Sequence, residues 1–217
     1  MKTRVSVIGS GNAGLTAAYH FTLQGADVCL YGSPGFDHPL ADIEQRGGIC
    51  ALESFNEVEL TYSGFQACDK ISRDLAETVS YANLLVLPVP SFAQEPLFTQ
   101  MLPHLRDGQI IMLMPGNYGS LAINRIKNEQ GFAHLDITFV DAISIPWATR
   151  MVGPAEIAIL GMKEHIPVAA YPADRTEEAI AALQAAMPLP LTRLSNVIEA
   201  GLENINFGGH PLLTTLN

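Results

Sequence analysis

The chain has 217 residues, 48% of them apolar and 16% charged, which is typical of a globular protein with one sizeable core, or with one domain and the start of another. Its net charge is −10 and its isoelectric point is 4.9, which argues against nucleic acid and anionic membranes as partners because like charges repel. The sequence shows no signal peptide and no apolar run of about eighteen residues, so no membrane span is expected.

The first predicted elements are a strand over 4–8, a tight turn and a helix over 15–23. The turn has G-x-G-x-x-G spacing, in which the first glycine turns the chain, the second lets the backbone approach a pyrophosphate and the third packs helix on strand. The phosphates would lie on a helix N-terminus, whose free N–H groups favour negative charge. We therefore predict dinucleotide binding by Gly9, Ser10, Gly11, Asn12, Ala13 and Gly14. The alternative is a structural glycine turn in another α/β fold.

The second predicted strand, 27–31, ends without the acidic residue that often bonds the adenosine ribose about 20 residues after the glycines. It runs into Gly32 and Ser33, which we expect near the cofactor, and the first carboxylate comes only at Asp37. The cofactor is therefore NADP or NAD. A slight preference for NADP follows because no carboxylate stands ready to repel a 2′-phosphate, although this loop has no Arg either.

The middle of the chain alternates strands and helices. Short strands over 49–52 and 58–62 are predicted to flank a hairpin turn at 54–56, and a helix is predicted over 74–81. The apolar run at 83–87 is typical of a strand buried on both faces of a parallel sheet. Ligands of doubly wound sheets bind at the carboxyl ends of strands, so the cofactor is expected to contact the residues that follow, Pro88, Val89 and Pro90.

Ser91 is the predicted N-cap of a helix over 92–102. A strand over 109–114 and a helix over 120–129 follow, with Asn117 in the loop between them.

A further strand over 137–141 leads to a loop that contains Ser144 and Trp147, the latter interpreted as a core residue. Two more strands are predicted over 155–161 and 166–171. Asp174 is the predicted cap of a helix over 177–187, with Glu177 as its capping-box partner.

The last segment has a different character. Ser195 is the predicted cap of a helix over 196–206 whose apolar stripe consists of Val197, Ile198, Leu202 and Ile205. The pattern breaks at 207–211, and a new apolar run stops at the last residue. We interpret 1–190 as a dinucleotide-binding Rossmann domain and 191–217 as the start of a C-terminal helical substrate domain, the rest of which is absent. The stripe would then fold back on the α/β domain, pair with a second chain in a homodimer, or fray.

Histidine is the usual proton donor or acceptor beside a nicotinamide. Five of the six histidines fall in the first helix, in loops or near helix ends, where packing or solvation explains them. His210 differs because Gly208 and Gly209 precede it and Pro211 follows it at the junction of the two expected domains. It is the candidate catalytic residue, and the alternative is a histidine that ends a helix favourably. The sequence shows no metal-ligand spacing of His, Cys and carboxylates, so no metal is expected. It also shows no P-loop and no Ser-His-Asp order, which argues against a hydrolase.

Together these motifs resemble the octopine/nopaline (opine) dehydrogenase family over the whole chain. The resemblance rests on Gly9-x-Gly11-Asn12-x-Gly14, on the segments 88–93 and 145–150, and on Asn206-x-x-x-His210-Pro211 continuing to Asn217. It implies an N-terminal Rossmann domain, a C-terminal helical domain and the reductive joining of an amino acid to a 2-oxo acid with NADH or NADPH. The implied catalytic residue is His210, and the implied substrate-facing residues are Asn117, Ser144 and Thr149.

Two alternatives stay open. Other two-domain reductases, of the glycerol-3-phosphate or ketopantoate type, would need a central catalytic Lys, and the lysines here lie outside the motif loops. The second alternative is a non-catalytic dinucleotide-binding module. The three cysteines lack C-x-x-C spacing, which indicates reduced thiols and a cytoplasmic protein. Without the rest of a helical domain, we expect cofactor binding but no turnover.

Overall fold

A computed structural model describes residues 2–204 and residue 215. The described part contains fourteen strands: β1 Arg4–Ile8, β2 Asp27–Tyr31, β3 Gly48–Ala51, β4 Ser54–Phe55, β5 Val58–Glu59, β6 Gly64–Ala67, β7 Lys70–Ser72, β8 Leu84–Leu87, β9 Gln109–Leu113, β10 Ile137–Ala142, β11 Trp147–Gly153, β12 Glu156–Met162, β13 Ile166–Tyr171 and β14 Leu191–Arg193. Its α-helices are α1 Asn12–Leu23, α2 His38–Arg46, α3 Leu75–Tyr81, α4 Ser91–Met101, α5 Gly119–Glu129, α6 Thr176–Ala186 and α7 Val197–Leu202. None of the helices in this part is both long enough and apolar enough to cross a bilayer.

The central sheet has eight strands in the order β14-β13-β10-β9-β8-β1-β2-β7. The six strands from β10 to β7 are parallel, whereas β13 pairs antiparallel with β10. Helices α1, α2 and α6 cover one face and α3, α4 and α5 the other, which confirms the predicted Rossmann-type doubly wound fold. The chain leaves β1 toward β2 and returns on the other side at β8. The carboxyl ends of β1 and β8 therefore form the switch point where such sheets bind ligands.

The apolar strand patterns are explained by burial on both faces of this sheet. All four residues of β8 are buried, as are four of the five residues of β1. A strand that helices cover on both sides exposes no face to water, so all of its residues can be apolar. The predicted strands of the central sheet are therefore found within one or two residues of their expected ends.

A second sheet, in the order β11-β12-β3-β6, packs beside α1, and here two expectations were wrong. The strand β3 pairs antiparallel with β6 and not with residues 58–62, while β4 and β5 form a separate small hairpin. The strand β11 was not predicted at all. Its pairing with β12 shifts register between Ala148 and Thr149 and again between Met151 and Gly153, which breaks the alternation that identifies a strand.

Three predicted helix caps are also wrong. Ser91 lies inside α4, whose N-cap is Pro90, and Asp174 lies in a 3₁₀ turn before α6. Asn196, and not Ser195, caps α7, because its Oδ1 accepts from the N–H groups of residues 198 and 199. Ser, Asp and Asn are interchangeable caps in a sequence pattern, so the pattern fixes a helix start only to within a residue or two.

The C-terminal part extends the sheet beyond the expected boundary at residue 190. Strand β14 pairs with β13, and Val197 and Ala200 of α7 pack against Ala169. Ile198 and Leu202 from the predicted stripe are exposed, by 55% and 74%, whereas Ile205 and His210 lie outside the described residues. The assignment of 191–217 to a second domain and the homodimer therefore stay predictions.

Candidate functional site

The glycine turn lies at the carboxyl end of β1. Gly9 has a φ of 127°, and a Cβ on Gly14 would lie 1.8 Å from the Gly9 carbonyl oxygen, so these two positions require glycine. A Cβ on Gly11 would meet no atom of the described residues within 4 Å. Gly11 is also the N-cap of α1, which has no side-chain cap and no acidic residue in its first turn. The turn therefore leaves an uncapped helix N-terminus beside open space.

The three segments predicted to hold the cofactor converge on this turn. A Cβ on Gly9 would lie 2.6 Å from Cγ1 of Val89, so the loop 88–90 packs over the turn. On the other side, Ser10 Oγ donates to the Phe36 carbonyl at 2.8 Å, and Gly32 lies against Ser10. Of the loop residues, Gly32 and Pro88 are buried, Ser33 is half-buried and Pro90 is exposed. Residues far apart in sequence are thus brought together around the glycine turn.

Asn12 joins the turn to the second sheet. Its Nδ2 donates to the Thr149 carbonyl at 3.1 Å, while its Oδ1 is a buried acceptor with no hydrogen-bond partner among the described residues. The Thr149 hydroxyl is buried, shares a 2.8 Å hydrogen bond with Thr16 and also donates to the Ala158 carbonyl. Thr149 therefore stabilises the glycine turn from the side of the second sheet. Direct contact between its side chain and a substrate stays a prediction, which these hydrogen bonds do not favour.

Asn117 stands in a constrained loop after β9. Asn117 and Tyr118 have φ angles of 52° and 64°, in a left-handed region that costs a non-glycine residue about 1 kcal/mol or more. Several hydrogen bonds hold the loop in place: Gln94 Nε2 donates to the Pro115 carbonyl at 2.7 Å, Asn117 Nδ2 to Ser91 Oγ at 2.8 Å, and Asn204 Nδ2 to Asn117 Oδ1 at 2.5 Å. The Asn117 amide is thus fixed between the start of α4 and the end of α7.

Asp141 is a buried residue that the sequence did not reveal as part of this region. It is 1% exposed, and its carboxylate accepts from the backbone N–H of Ser120 at 3.1 Å and from Ser120 Oγ at 3.0 Å. A Cβ on Gly116 would overlap the Asp141 side chain. Burial raises the pKa of Asp141 to about 6. The only sequence signal was a single carboxylate in a strand whose other residues, apart from Thr138, are apolar.

Ser144 lies beyond the end of β10, beside Lys163. Ser144 is 5% exposed, donates to the Ile145 carbonyl and accepts from the Lys163 ammonium. Within residues 2–204, Lys163 forms no ion pair, and its partial burial lowers its pKa. Lys163 was missed because it is distant from the motif loops in sequence, yet the β11–β12 pairing returns it to them.

His20 has a structural environment. It is 2% exposed, and its Nδ1 accepts from Trp147 Nε1 at 2.7 Å, which joins α1 to β11. Burial lowers its pKa to about 4, so the ring is neutral at pH 7. Trp147 is a core residue, as predicted. Residues 2–204 bring no three His, Cys, Asp or Glu side chains together for a metal ion.

Comparison with curated proteins finds relatives along nearly the whole chain. It is 25% identical over 213 residues to the opine dehydrogenase of Arthrobacter sp. (strain 1C), and 25% identical over 212 residues to the Protein ocs of Agrobacterium tumefaciens (strain Ach5). These alignments cover 98% and 96% of this chain but only 56% and 55% of the relatives. No protein-family model matches. The resemblance to opine dehydrogenases is thus confirmed for a chain that spans about half the length of its relatives.

Solved structures share the fold. An octopine dehydrogenase structure with NADH and L-arginine matches 95% of this chain and 52% of its own, with a TM-score of 0.76 and 19% identity. A yersinopine dehydrogenase with NADP+ bound matches with a TM-score of 0.70 and 18% identity, over 95% of this chain and 50% of its own. A ketopantoate reductase from Ralstonia eutropha JMP134 matches with a TM-score of 0.65 and 19% identity, over 90% and 57%. These likenesses concern the fold.

Proposed function

We propose that this chain is the dinucleotide-binding part of an NAD(P)-dependent opine-type dehydrogenase. The observation that carries the proposal is the uncapped N-terminus of α1 at Gly11, which faces open space at the switch point of a doubly wound sheet. The curated relative named opine dehydrogenase supports the reaction class, which joins an amino acid to a 2-oxo acid through hydride transfer to the imine.

The residues present fit a nicotinamide dinucleotide. The pyrophosphate would lie over Gly11 to Ala13, where backbone N–H groups of the first helical turn point outward without a side-chain acceptor. The orphaned Asn12 Oδ1 offers an acceptor for a donor group at the same place. The cofactor, once bound in its reduced form, would supply the hydride. Among the structures that share the fold, an octopine dehydrogenase holds NADH and a yersinopine dehydrogenase holds NADP+.

The substrate side would be formed by the loops after β9 and β10. Asn117 presents a fixed amide, and Ser144 stands beside the ammonium of Lys163, which forms no ion pair within residues 2–204. Both an amino acid and a 2-oxo acid carry a carboxylate, which an ammonium without a protein counter-ion attracts. His210, outside the described residues, is the proposed residue that exchanges the proton at the amine or carbonyl.

A second candidate is a two-domain reductase of the ketopantoate type. The observation that favours it is Lys163, a lysine at the ligand edge, together with the shared fold of the ketopantoate reductase. In an opine-type enzyme Lys163 would bind a substrate carboxylate, whereas in such a reductase a lysine would act at the carbonyl. The two proposals differ in whether an amino acid is needed for turnover.

The test begins with calorimetric titration of the chain with NADH and NADPH. We expect saturable binding of at least one of the two nucleotides. If neither binds, the proposal is refuted. Pairs of amino acids and 2-oxo acids are then screened for loss of reduced-nicotinamide absorbance with a form of the protein that extends over the full length of its relatives, because this chain alone is expected to bind cofactor without turnover. Turnover that requires both substrates supports the opine reaction. Turnover with an oxo acid alone favours the reductase, and binding without any turnover in the extended form favours a dinucleotide-binding module.

A further inference from the structure

The first carboxylate after β2 is brought back to the end of that strand. Residues 33–36 form a turn closed by a hydrogen bond from the Phe36 N–H to the Ser33 carbonyl. Asp37 then lies with its Cα 3.0 Å from the position of a Cβ on Gly32, the residue that follows β2. The hydrogen bond from Ser10 to the Phe36 carbonyl fixes this turn to the glycine turn. Asp37 therefore stands near the place where a Rossmann fold holds its ribose-binding acid.

Asp37 belongs to a cluster of three charged side chains. Arg73, just after β7, donates through Nε to Asp37 at 2.8 Å and through its two terminal nitrogens to Glu44 at 2.7 and 3.2 Å. Arg73 holds the pKa values of Asp37 and Glu44 below their usual range, so both carboxylates are charged at neutral pH. The side chains are 42%, 31% and 48% exposed for Arg73, Asp37 and Glu44, which leaves the cluster accessible to a ligand.

The charge of this cluster decides which adenosine ribose it accepts. One guanidinium and two carboxylates sum to −1, which opposes a dianionic 2′-phosphate. A carboxylate instead accepts a hydrogen bond from a 2′-hydroxyl. Three of the five N–H groups of Arg73 are engaged by the carboxylates, so the guanidinium is not free to bind a phosphate with its full fork.

We propose that Asp37, held in place by Arg73, selects the unphosphorylated ribose, so that the chain prefers NAD(H) to NADP(H). The proposal rests on dinucleotide binding at the glycine turn, and it reverses the slight preference for NADP drawn from the sequence. That preference assumed no carboxylate at the end of β2, whereas the 33–36 turn supplies one.

The test measures dissociation constants of NADH and NADPH by calorimetry for the chain and three variants. The chain should bind NADH at least tenfold more tightly than NADPH. Asp37→Asn removes one negative charge and frees Arg73 Nε, while Glu44 still holds the two terminal nitrogens, and should tighten NADPH binding at least tenfold. In Asp37→Asn/Arg73→Gln that gain should be lost, since the cluster loses its guanidinium and its net charge returns to −1. Asp42→Asn, which removes the same charge from α2 outside the cluster, should leave the NADH to NADPH ratio within about twofold.

The outcomes separate this proposal from the proposed function. Binding of both nucleotides with an equal ratio in the chain and in Asp37→Asn overturns the role of Asp37, while dinucleotide binding stands. A preference of the unmodified chain for NADPH also overturns it. A gain in Asp37→Asn that persists in the double variant, whose cluster charge is again −1, shows that neither the charge of the cluster nor the guanidinium sets the preference, and overturns the proposal. Failure to bind either nucleotide overturns the proposed function. Circular dichroism of each variant verifies folding.

Discussion

Helices α1 and α5 both begin at the carboxyl edge of the parallel sheet, but their N-termini are completed differently. The N-terminus of α1 has glycine at its cap, no side-chain acceptor and open space before it. That of α5 is closed from inside the protein by the buried carboxylate of Asp141, which bonds both the N–H and the hydroxyl of Ser120. One helix end can therefore take an anion from solution, whereas the other already has its anion.

The two regions also differ in what their buried polar groups do. Behind α5, the Asp141 carboxylate fixes the loop that presents Asn117. In that loop the backbone of Asn117 and Tyr118 is held in a left-handed conformation. Behind α1, a neutral histidine and Trp147 fix the helix to the second sheet while its N-terminus stays open. A rigid support with an unfilled helix end suits a ligand site, and a filled end suits a fixed side-chain contact.

The largest expected effect comes from closing the α1 end. Gly11→Val would place a branched side chain in the space needed by the pyrophosphate, and should abolish measurable dinucleotide binding. The variant should fold, because a Cβ at Gly11 meets no atom within 4 Å in the part of the chain that the structure describes. Gly161→Val is the matched control, since a Cβ there also meets nothing within 4 Å. Unchanged affinity in a folded Gly11→Val chain would refute the α1 end as the phosphate site.

Asp141→Asn tests the internal anion of α5. The pKa of Asp141 is raised to about 6 in the folded chain, so the folded state binds more protons between pH 4 and 6 and this group lowers stability as pH rises through that window. A rise in the pKa of this aspartate from its ordinary value to about 6 corresponds to about 3 kcal/mol. The free energy of unfolding of Asp141→Asn relative to the unmodified chain should therefore fall by about 3 kcal/mol between pH 7 and pH 4. Urea titrations at several pH values measure it, and a constant difference would contradict a buried charge.

His20→Asn tests the support of α1 and should have the opposite sign. The pKa of His20 is lowered to about 4, so stability from this group is present above pH 6.5 and is lost as pH falls toward 4. The variant has no such group, and its free energy of unfolding relative to the unmodified chain should rise by about 3 kcal/mol from pH 7 to pH 4. Between pH 4 and 6 the contributions of His20 and Asp141 to the free energy of unfolding change in opposite directions with pH. Removing one group therefore leaves the pH dependence of the other visible. Parallel pH profiles for both variants would show that neither group titrates as described.

The contrast between the two helix ends could be predicted only in part. The glycine turn, the strands of the central sheet and the position of Asn117 follow from local patterns, because spacing and apolar runs depend on neighbouring residues. The roles of Asp141, Lys163 and Asp37 depend on contacts between distant segments, which a local pattern does not contain. Strand β11 was missed because its register shifts break the alternation, and β3 was given the wrong partner because a small hairpin separates it from β6.

The smallest effect is expected from a substitution of Lys163. It tests whether the loops beside α5, at the carboxyl edge of the sheet, attract a substrate carboxylate in addition to the cofactor phosphates. Its ammonium bonds Ser144 and forms no ion pair within residues 2–204. Lys163→Met should weaken binding of pyruvate to the NAD-saturated chain about fivefold, or about 1 kcal/mol, since a partly exposed charge is screened by water. Lys163→Arg should retain most of the affinity because it retains the charge.

The matched control for Lys163 is Lys2→Met, which removes the same charge near Asp27 at the amino end of the sheet. Nuclear magnetic resonance titration of backbone amides gives the affinity in each case. A general loss of positive charge would weaken pyruvate binding equally in Lys2→Met and Lys163→Met, whereas a carboxylate held at the α5 side is affected by Lys163 alone. Equal affinity in all four proteins would remove Lys163 from the substrate site and leave Asn117 and Ser144 as neutral contacts there.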